Sequence, residues 1–338
     1  MKINTSIGSA IGIFLAAIIR HRDMYFSSNL PEISDYAANS ILIQSAKHFQ
    51  LFHGHYSRLE FFHPGPAFLQ VQAFGELLLH DVLGLVPSQL GGQMIGALAL
   101  NCILLWLLFS SVKDVDGLLD GAIFNIAFIA CLLWSIPGMI SGFWMPYLYV
   151  LPFSCYVYAL ALLSMNKLRS SREKVILFVS LGLLIHGHSS FIGLTVIGFL
   201  ISIICGFCSR HFNFRSMLSA VTNLARPRFI LLIPALFLAP IVIDMFVNFP
   251  GEVPSYFDYA MKVVRNDFIE SVRFSLTFFP GGRRMVPFFA GACVMSYFWA
   301  RQIPLRCSQR ARDCNALQDL ELACLCFFLT LSLAVTYA

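Results

Sequence analysis

The chain has 338 residues, 58% of them hydrophobic and only 12% charged, with a mean hydropathy of +0.74. Soluble domains carry about 25% charged residues, so a water-soluble globular enzyme is excluded. The net charge of +5 is not gathered into the stripe that a nucleic-acid-binding protein needs. The composition fits an all-α polytopic membrane protein forming a single transmembrane domain over residues 1–338, with no internal repeat and no soluble extra domain.

Residues 1–19 place Lys2 ahead of an apolar run. Arg20-His21-Arg22-Asp23 follows where a signal peptide would carry small residues, so the reading is an uncleaved first span. Residues 20–90 form a long polar loop. Within it, 36–50 puts Ile41, Leu42, Ala46 and Phe49 on one face at helical spacing. Residues 65–80 are apolar but interrupted by Gln70, Gln72 and Glu76. Both are expected to be amphipathic helices lying on the membrane surface, joined by a turn at 51–64. Segments 91–111, 121–137, 148–165, 175–187, 190–208, 229–247, 285–300 and 319–338 then supply further crossings, about nine in all with the first. The last stops without a polar flank, as a chain that continues further would.

Charge orients these segments. Loops 166–174, 209–228 and 301–318 hold 12 of the 23 Lys and Arg residues against Glu173 and Asp313 alone. The positive-inside rule places them in the cytoplasm. Counting through the spans puts 112–120 inside as well, despite Asp114, Asp116 and Asp120, and puts 20–90 and the second long loop, 248–283, outside. All ten cysteines fall in spans or inner loops, which argues against disulfides.

Reactive side chains concentrate in the first loop: Glu32, Asp35, His53, His55, Tyr56, Ser57, Arg58, Glu60 and His63. Asp35 opens the first surface helix, where a carboxylate serves as an N-cap or as a general base; the two roles are compatible. Arg58 offers a planar fork suited to phosphate, or to a lipid headgroup, and His63 adds a donor. Pro64 and Pro66 stiffen the turn into the second helix. A second cluster, His186-Gly187-His188-Ser189-Ser190, sits at the outer end of a span. Its His-x-His spacing suits a metal on extended backbone, but on a helix the two rings diverge by about 200°. The second outer loop adds Tyr256, Asp258, Tyr259, Lys262 and Arg265.

One span, an outer loop with two surface helices and an acid near its start, then a series of spans resembles the GT-C glycosyltransferases. The branch it is most similar to is that of the protein mannosyltransferases and aminoarabinose transferases. Asp35-Tyr36-Ala37-Ala38 answers to that branch's Asp-Glu-x-x-Tyr-Ala stretch, and His63-Pro64-Gly65-Pro66-Ala67 to its Lys-Pro-Pro-Leu. Ile185-His186-Gly187-His188 stands in the position of its Leu-Thr-Lys-Gly, and Trp144-Met145-Pro146-Tyr147 with Val150-Leu151-Pro152-Phe153 is similar to bacterial members. Tyr36 stands where the branch often has Glu, and His63 where it has Lys.

The resemblance implies a GT-C-like helix bundle that moves a sugar from a polyprenyl-phosphate carrier to an acceptor on the outer face of a bacterial inner membrane, with inversion. Asp35 would be the base. Arg58, His63, His186 and His188 would hold the phosphate, and Glu60, His55, Tyr56, Lys262 and Arg265 would make further contacts. A divalent metal at the phosphate, on Glu60, His186 or His188, is left open as cofactor. The partners implied are the lipid-linked sugar and the bilayer, with no nucleic acid. Two other readings stay open: a transporter or flippase for a lipid-linked or small polar substrate, and a non-catalytic subunit of envelope assembly.

Overall fold

The computed structural model describes residues 5–58, 60–116, 140–208 and 213–262, with the isolated positions 126, 129 and 269. Apart from those isolated positions, the spans expected at 121–137, 285–300 and 319–338 lie outside the described residues, as does the basic loop 301–318. In chain order the helices are α1 (Thr5–Arg20), α2 (Arg22–Tyr25), α3 (Asp35–Lys47), α4 (Ala67–Glu76), α5 (Gln89–Asp116), α6 (Met145–Leu148), α7 (Val150–Ser164), α8 (Ser171–Gly187), α9 (Ser190–Cys208), α10 (Phe214–Leu224), α11 (Leu232–Val247) and α12 (Val253–Lys262). Among the described residues there is no strand, only an isolated bridge between Tyr56 and Phe62.

Four stretches are long and apolar enough to cross a membrane: Gln89–Val112, Met145–Ser164, Ser190–Phe207 and Arg228–Val247. α1 and α8, with 16 and 17 residues, are shorter, about 24–26 Å at 1.5 Å per residue against ~30 Å of hydrocarbon. Local sequence sets several boundaries. Ser170 caps α8 through a reciprocal box, its hydroxyl accepting from the Glu173 N–H at 3.3 Å while the Glu173 carboxylate accepts from the Ser170 N–H at 2.9 Å. Pro66 occupies the cap position of α4, so the Pro-Gly-Pro turn delivers the chain directly into that helix.

α4 departs from the expected surface helix. Gln70 is exposed, but Phe68, Leu69, Gln72, Ala73 and Glu76 are buried, and the helix lies against α5. Small residues make the contact. A Cβ added at Gly75 would stand 2.5 Å from the Gly92 carbonyl oxygen, one at Gly92 would stand 2.7 Å from the Glu76 Cα, and one at Gly96 would stand 2.7 Å from the Val71 carbonyl oxygen. Gly92 and Gly96 thus form a small-xxx-small groove that receives the α4 backbone, the packing that apolar surroundings favour. With the two backbones this close, one face of α4 is sealed and its polar residues need internal partners.

Glu76 finds three. Its side chain has no exposure, and it accepts from Lys47 Nζ at 2.6 Å, Gln44 Nε2 at 2.9 Å and Gln93 Nε2 at 2.8 Å. Lys47 also meets Asp81 at 2.6 Å, on the π-helical turn Leu77–Val82 that follows α4. Burial works against the Lys47 ammonium, and its bonds to Asp81 and Glu76 more than offset that, raising its pKa. One buried carboxylate therefore ties α3, α4 and α5 together.

Helix ends sort into two groups. Arg172 pairs with Asp114 and donates to the Ser110 carbonyl at 3.1 Å, and Lys174 Nζ donates to the Arg226 carbonyl at 2.5 Å. The end of α5, the start of α8 and the end of the loop after α10 therefore lie together. The opposite ends of α5 and α8 join the first loop and residues 140–149: Gly91, in the first turn of α5, abuts the Tyr25 carbonyl, Tyr25 donates to the Ser141 carbonyl, and Tyr149 donates to the Gly187 carbonyl at the end of α8.

Two outcomes follow from this packing. Gly92→Val is expected to lower the unfolding midpoint in detergent by forcing α4 off α5, a cost of about 1–3 kcal/mol. Gly193→Val, where an added Cβ meets nothing within 4 Å, is expected to leave it unchanged. Glu76→Ala leaves Lys47 to Asp81 alone and takes from the Gln44 and Gln93 amides the carboxylate they donate to, and is expected to cost about 1–3 kcal/mol. Glu76→Gln, which keeps an acceptor oxygen at this position, should lose less in the same melts.

Candidate active site

The polar end is built on a narrow loop. The Gly54 N–H donates to the His63 carbonyl at 2.6 Å, the His63 N–H to the His55 carbonyl at 3.0 Å, and the Ser57 N–H to the Phe61 carbonyl at 2.8 Å. This hairpin-like pairing sets residues 55 and 63 side by side, as cross-strand neighbours are. Their rings stand 4.2 Å apart between centroids, and His188 lies 4.2 Å beyond His63. His188 arrives because α8 ends at Gly187 and the chain turns extended there. Tyr149, at the junction of α6 and α7, completes the group at 3.4 Å from His55 Nε2. Gly187 leaves room for the Tyr149 and Phe68 rings, which would stand 2.5 and 2.8 Å from an added Cβ.

Hydrogen bonds assign the tautomers. Tyr149 spends its only proton on the Gly187 carbonyl, 2.7 Å away, so toward His55 it accepts and His55 carries its proton on Nε2. His63 Nδ1 accepts from the Ser189 N–H at 3.3 Å, and His188 Nδ1 accepts from the Ser190 N–H at 3.2 Å. Both rings thus keep an Nε2–H donor with no protein partner among the described residues. Burial holds all three neutral. It pushes His63 down to about 2, helped by the neighbouring His55 and His188, and His55 down to about 4, where His188 adds to burial and the Asp35 charge opposes it. His188 is lowered by burial too. The cluster offers neutral donors rather than cations or bases.

Asp35 is the first residue of α3 and is exposed. It is not an N-cap: Ser34 holds that position, at φ 53°, and no side chain caps the helix. The Asp35 carboxylate accepts instead from the Trp144 indole N–H at 3.2 Å. Tyr36 stacks on Phe143 at 4.5 Å, securing the start of α3 against 143–147.

Of the other expected residues, His186 falls out of the ligand set. It is buried, and its ring is consumed by structure: Nδ1 accepts from the Ala67 N–H at 3.3 Å and Nε2 donates to the Phe237 carbonyl at 2.6 Å. A Cβ at residue 65 would run into this ring, so glycine in the Pro-Gly-Pro turn makes room for His186. Tyr56, Arg58 and Glu60 are exposed around the hairpin tip, and Glu60 adopts φ 65°. Among the described residues, no three His, Cys, Asp or Glu side chains are grouped to hold a metal ion. The metal assignment to Glu60, His186 and His188 has no geometric support there. Lys262 is exposed at the end of α12, and Arg265 lies outside the described residues.

α12 covers the hairpin. The Phe62 N–H donates to the Glu252 carboxylate at 3.1 Å, and its carbonyl accepts from the Tyr256 hydroxyl at 2.7 Å, so two side chains satisfy that backbone as a neighbouring strand would. Phe61 meets the rings of Tyr256 and Tyr259 at 5.2 and 5.7 Å. Burial and the Glu252 and Asp244 charges hold the Tyr256 phenol protonated by raising its pKa. Trp144, Tyr149 and Glu252 are members of this end that sequence reading missed. Only the Trp-Met-Pro-Tyr stretch gave a signal, and that came by likeness. No family model, curated protein or solved structure matches this chain.

The neutral histidines set a pH dependence. Unfolding returns them to about 6.5, so below that pH the unfolded chain binds protons that the folded chain refuses. Stability is expected to be flat from pH 8 to 7 and to fall as pH drops from about 6.5 toward 4. His63→Gln should shallow the fall by up to about 1.4 kcal/mol per pH unit, read from melts across that range.

Proposed function

We propose that the protein is a membrane glycosyltransferase, taking a sugar from a polyprenyl-phosphate carrier to an acceptor hydroxyl at the polar end of the bundle. The observation that carries the reading is the pairing of chemistries there. An exposed carboxylate is fixed by an indole N–H at the start of α3, and its charge reaches a cluster of neutral imidazoles that keep two Nε2–H donors without a partner among the described residues. In this scheme the acceptor oxygen attacks the anomeric carbon while Asp35 takes its proton. The bond from that carbon to the phosphate oxygen breaks, and the carrier phosphate leaves with the electron pair. His63 and His188 donate to the phosphate oxygens, and Arg58 supplies the positive charge that the neutral rings lack. The expected outer-facing orientation and the bacterial inner membrane belong to this proposal.

Asp35→Asn removes the base while keeping the indole contact. It is expected to slow transfer by about 10²–10⁴-fold in proteoliposomes given labelled polyprenyl-phosphate sugars. Transfer at the wild-type rate by that variant would overturn the base assignment.

One observation favours a transporter instead. In α5, Asn101 Oδ1, Trp106 Nε1 and Ser110 Oγ are buried without hydrogen-bond partners among the described residues, and unspent polar capacity inside a span marks a substrate path. Vesicle uptake of the lipid-linked sugar without transfer by the wild type would select that reading.

A further inference from the structure

α10 is a helix with no buried face among the described residues. Its capping box is complete, with Asn213 Oδ1 accepting from the Ser216 N–H at 2.8 Å and Ser216 Oγ accepting from the Asn213 N–H at 2.8 Å. The start of the helix is thus fixed locally. Yet none of its residues is buried. Phe214, Met217, Leu218, Val221 and Leu224 follow at spacings of three and four, which gathers them on one face. Phe214 and Leu218 are 72% and 52% exposed. Leu224, at the far end, packs against the core formed by the described residues.

Position and charge say what covers this face. α10 links α9 to the segment beginning at Arg228, two of the stretches long enough to cross a bilayer. The Lys174 bond to the Arg226 carbonyl fixes the end of the loop beside the start of α8. Loop 209–228 contains Arg210, Arg215, Arg226 and Arg228 and no acid. Arg215, Arg226 and Arg228 are exposed, as are Lys167 and Arg169 in the loop that meets this one. Arg215 flanks the apolar stripe, one residue on from Phe214, where a headgroup lies when the stripe enters acyl chains.

We propose that α10 lies in the bilayer surface and binds anionic phospholipid headgroups, its apolar face in the acyl boundary and Arg215, Arg226 and Arg228 on the phosphates. The surface is independent of the chemistry at the opposite end and rests only on α9 and α11 crossing the bilayer. Uncharged lipid would satisfy the stripe but not the arginines, so attachment strengthens with the anionic content of the membrane.

The test is hydrogen–deuterium exchange of the whole protein in vesicles of phosphatidylcholine alone and of phosphatidylcholine with about a third phosphatidylglycerol. Amides 214–224 are expected to exchange at least tenfold more slowly in the anionic vesicles. High salt should erase the difference, and each Arg→Gln change at 215, 226 or 228 should reduce it by about fivefold. Equal exchange in both vesicles would overturn the headgroup assignment. Protection that follows the number of protein copies per vesicle rather than lipid charge would assign the face to a second copy and overturn it as well. Slow exchange of α9 amides in both vesicles reports an intact crossing segment, so its loss would count against the membrane arrangement itself.

Discussion

Backbone contact between α4 and α5 is the constraint on which the polar end depends. Gly75, Gly92 and Gly96 let two helices meet with no side chain between them. In apolar surroundings, where hydrophobic association contributes little, such contacts gain their energy from close dispersion packing over many atoms. The same closeness leaves Glu76 beyond the reach of water. Its three donors from α3 and α5 then fix where α3 begins and ends, and so where Asp35 stands.

Two electrostatic regimes coexist within one loop and its neighbours. Glu76 is buried with three donors converging on it, from Lys47, Gln44 and Gln93. Of the clustered histidines, His63 is buried and His55 and His188 are half-buried, and burial outweighs the one nearby charge, Asp35, so that they stay neutral. Asp35 is exposed at a helix start, where the dipole favours a carboxylate and Trp144 directs it. Each state follows from which neighbours the fold supplies, since burial alone disfavours every ion.

Much of this was legible in the chain. Long apolar runs gave α5, α7, α9 and α11 close to their bounds, because length and uncharged composition are local properties. Counting from the basic loops put 112–120, 166–174 and 209–228 on one side, and Arg172 with Asp114 and Lys174 with the Arg226 carbonyl lie together at one end of the helices. The misreadings have a common cause. Gln72 and Glu76 mark a polar face, and a single sequence does not say whether water or another helix satisfies it. The glycines that decide the matter lie some twenty residues away. His186 looked equivalent to His188, yet one residue of extended backbone after Gly187 separates a ring locked into structure from one in the cluster. His55 and His63 were visible as types, but their adjacency depends on the Gly54 and His63 backbone pairing, which leaves no periodic trace. The loop 209–228 was legible as basic, while its helix was masked by brevity and by the expectation of a simple connection.

The glycine seam has a mechanical meaning. Helices separated by side chains can slide or roll as rotamers readjust, whereas helices touching through backbone atoms have no such slack. α4 and α5 therefore move as one lever, with α3 riding on it through Glu76. Any displacement that changes access to the histidine cluster has to be absorbed by parts held more lightly. Among the described residues one such part is α12 with Glu252 just before it, which holds the hairpin through a carboxylate, a phenol and a few ring edges. Compliance in this molecule is thus allotted to one side of the polar end, and the side that carries Asp35 stays stiff.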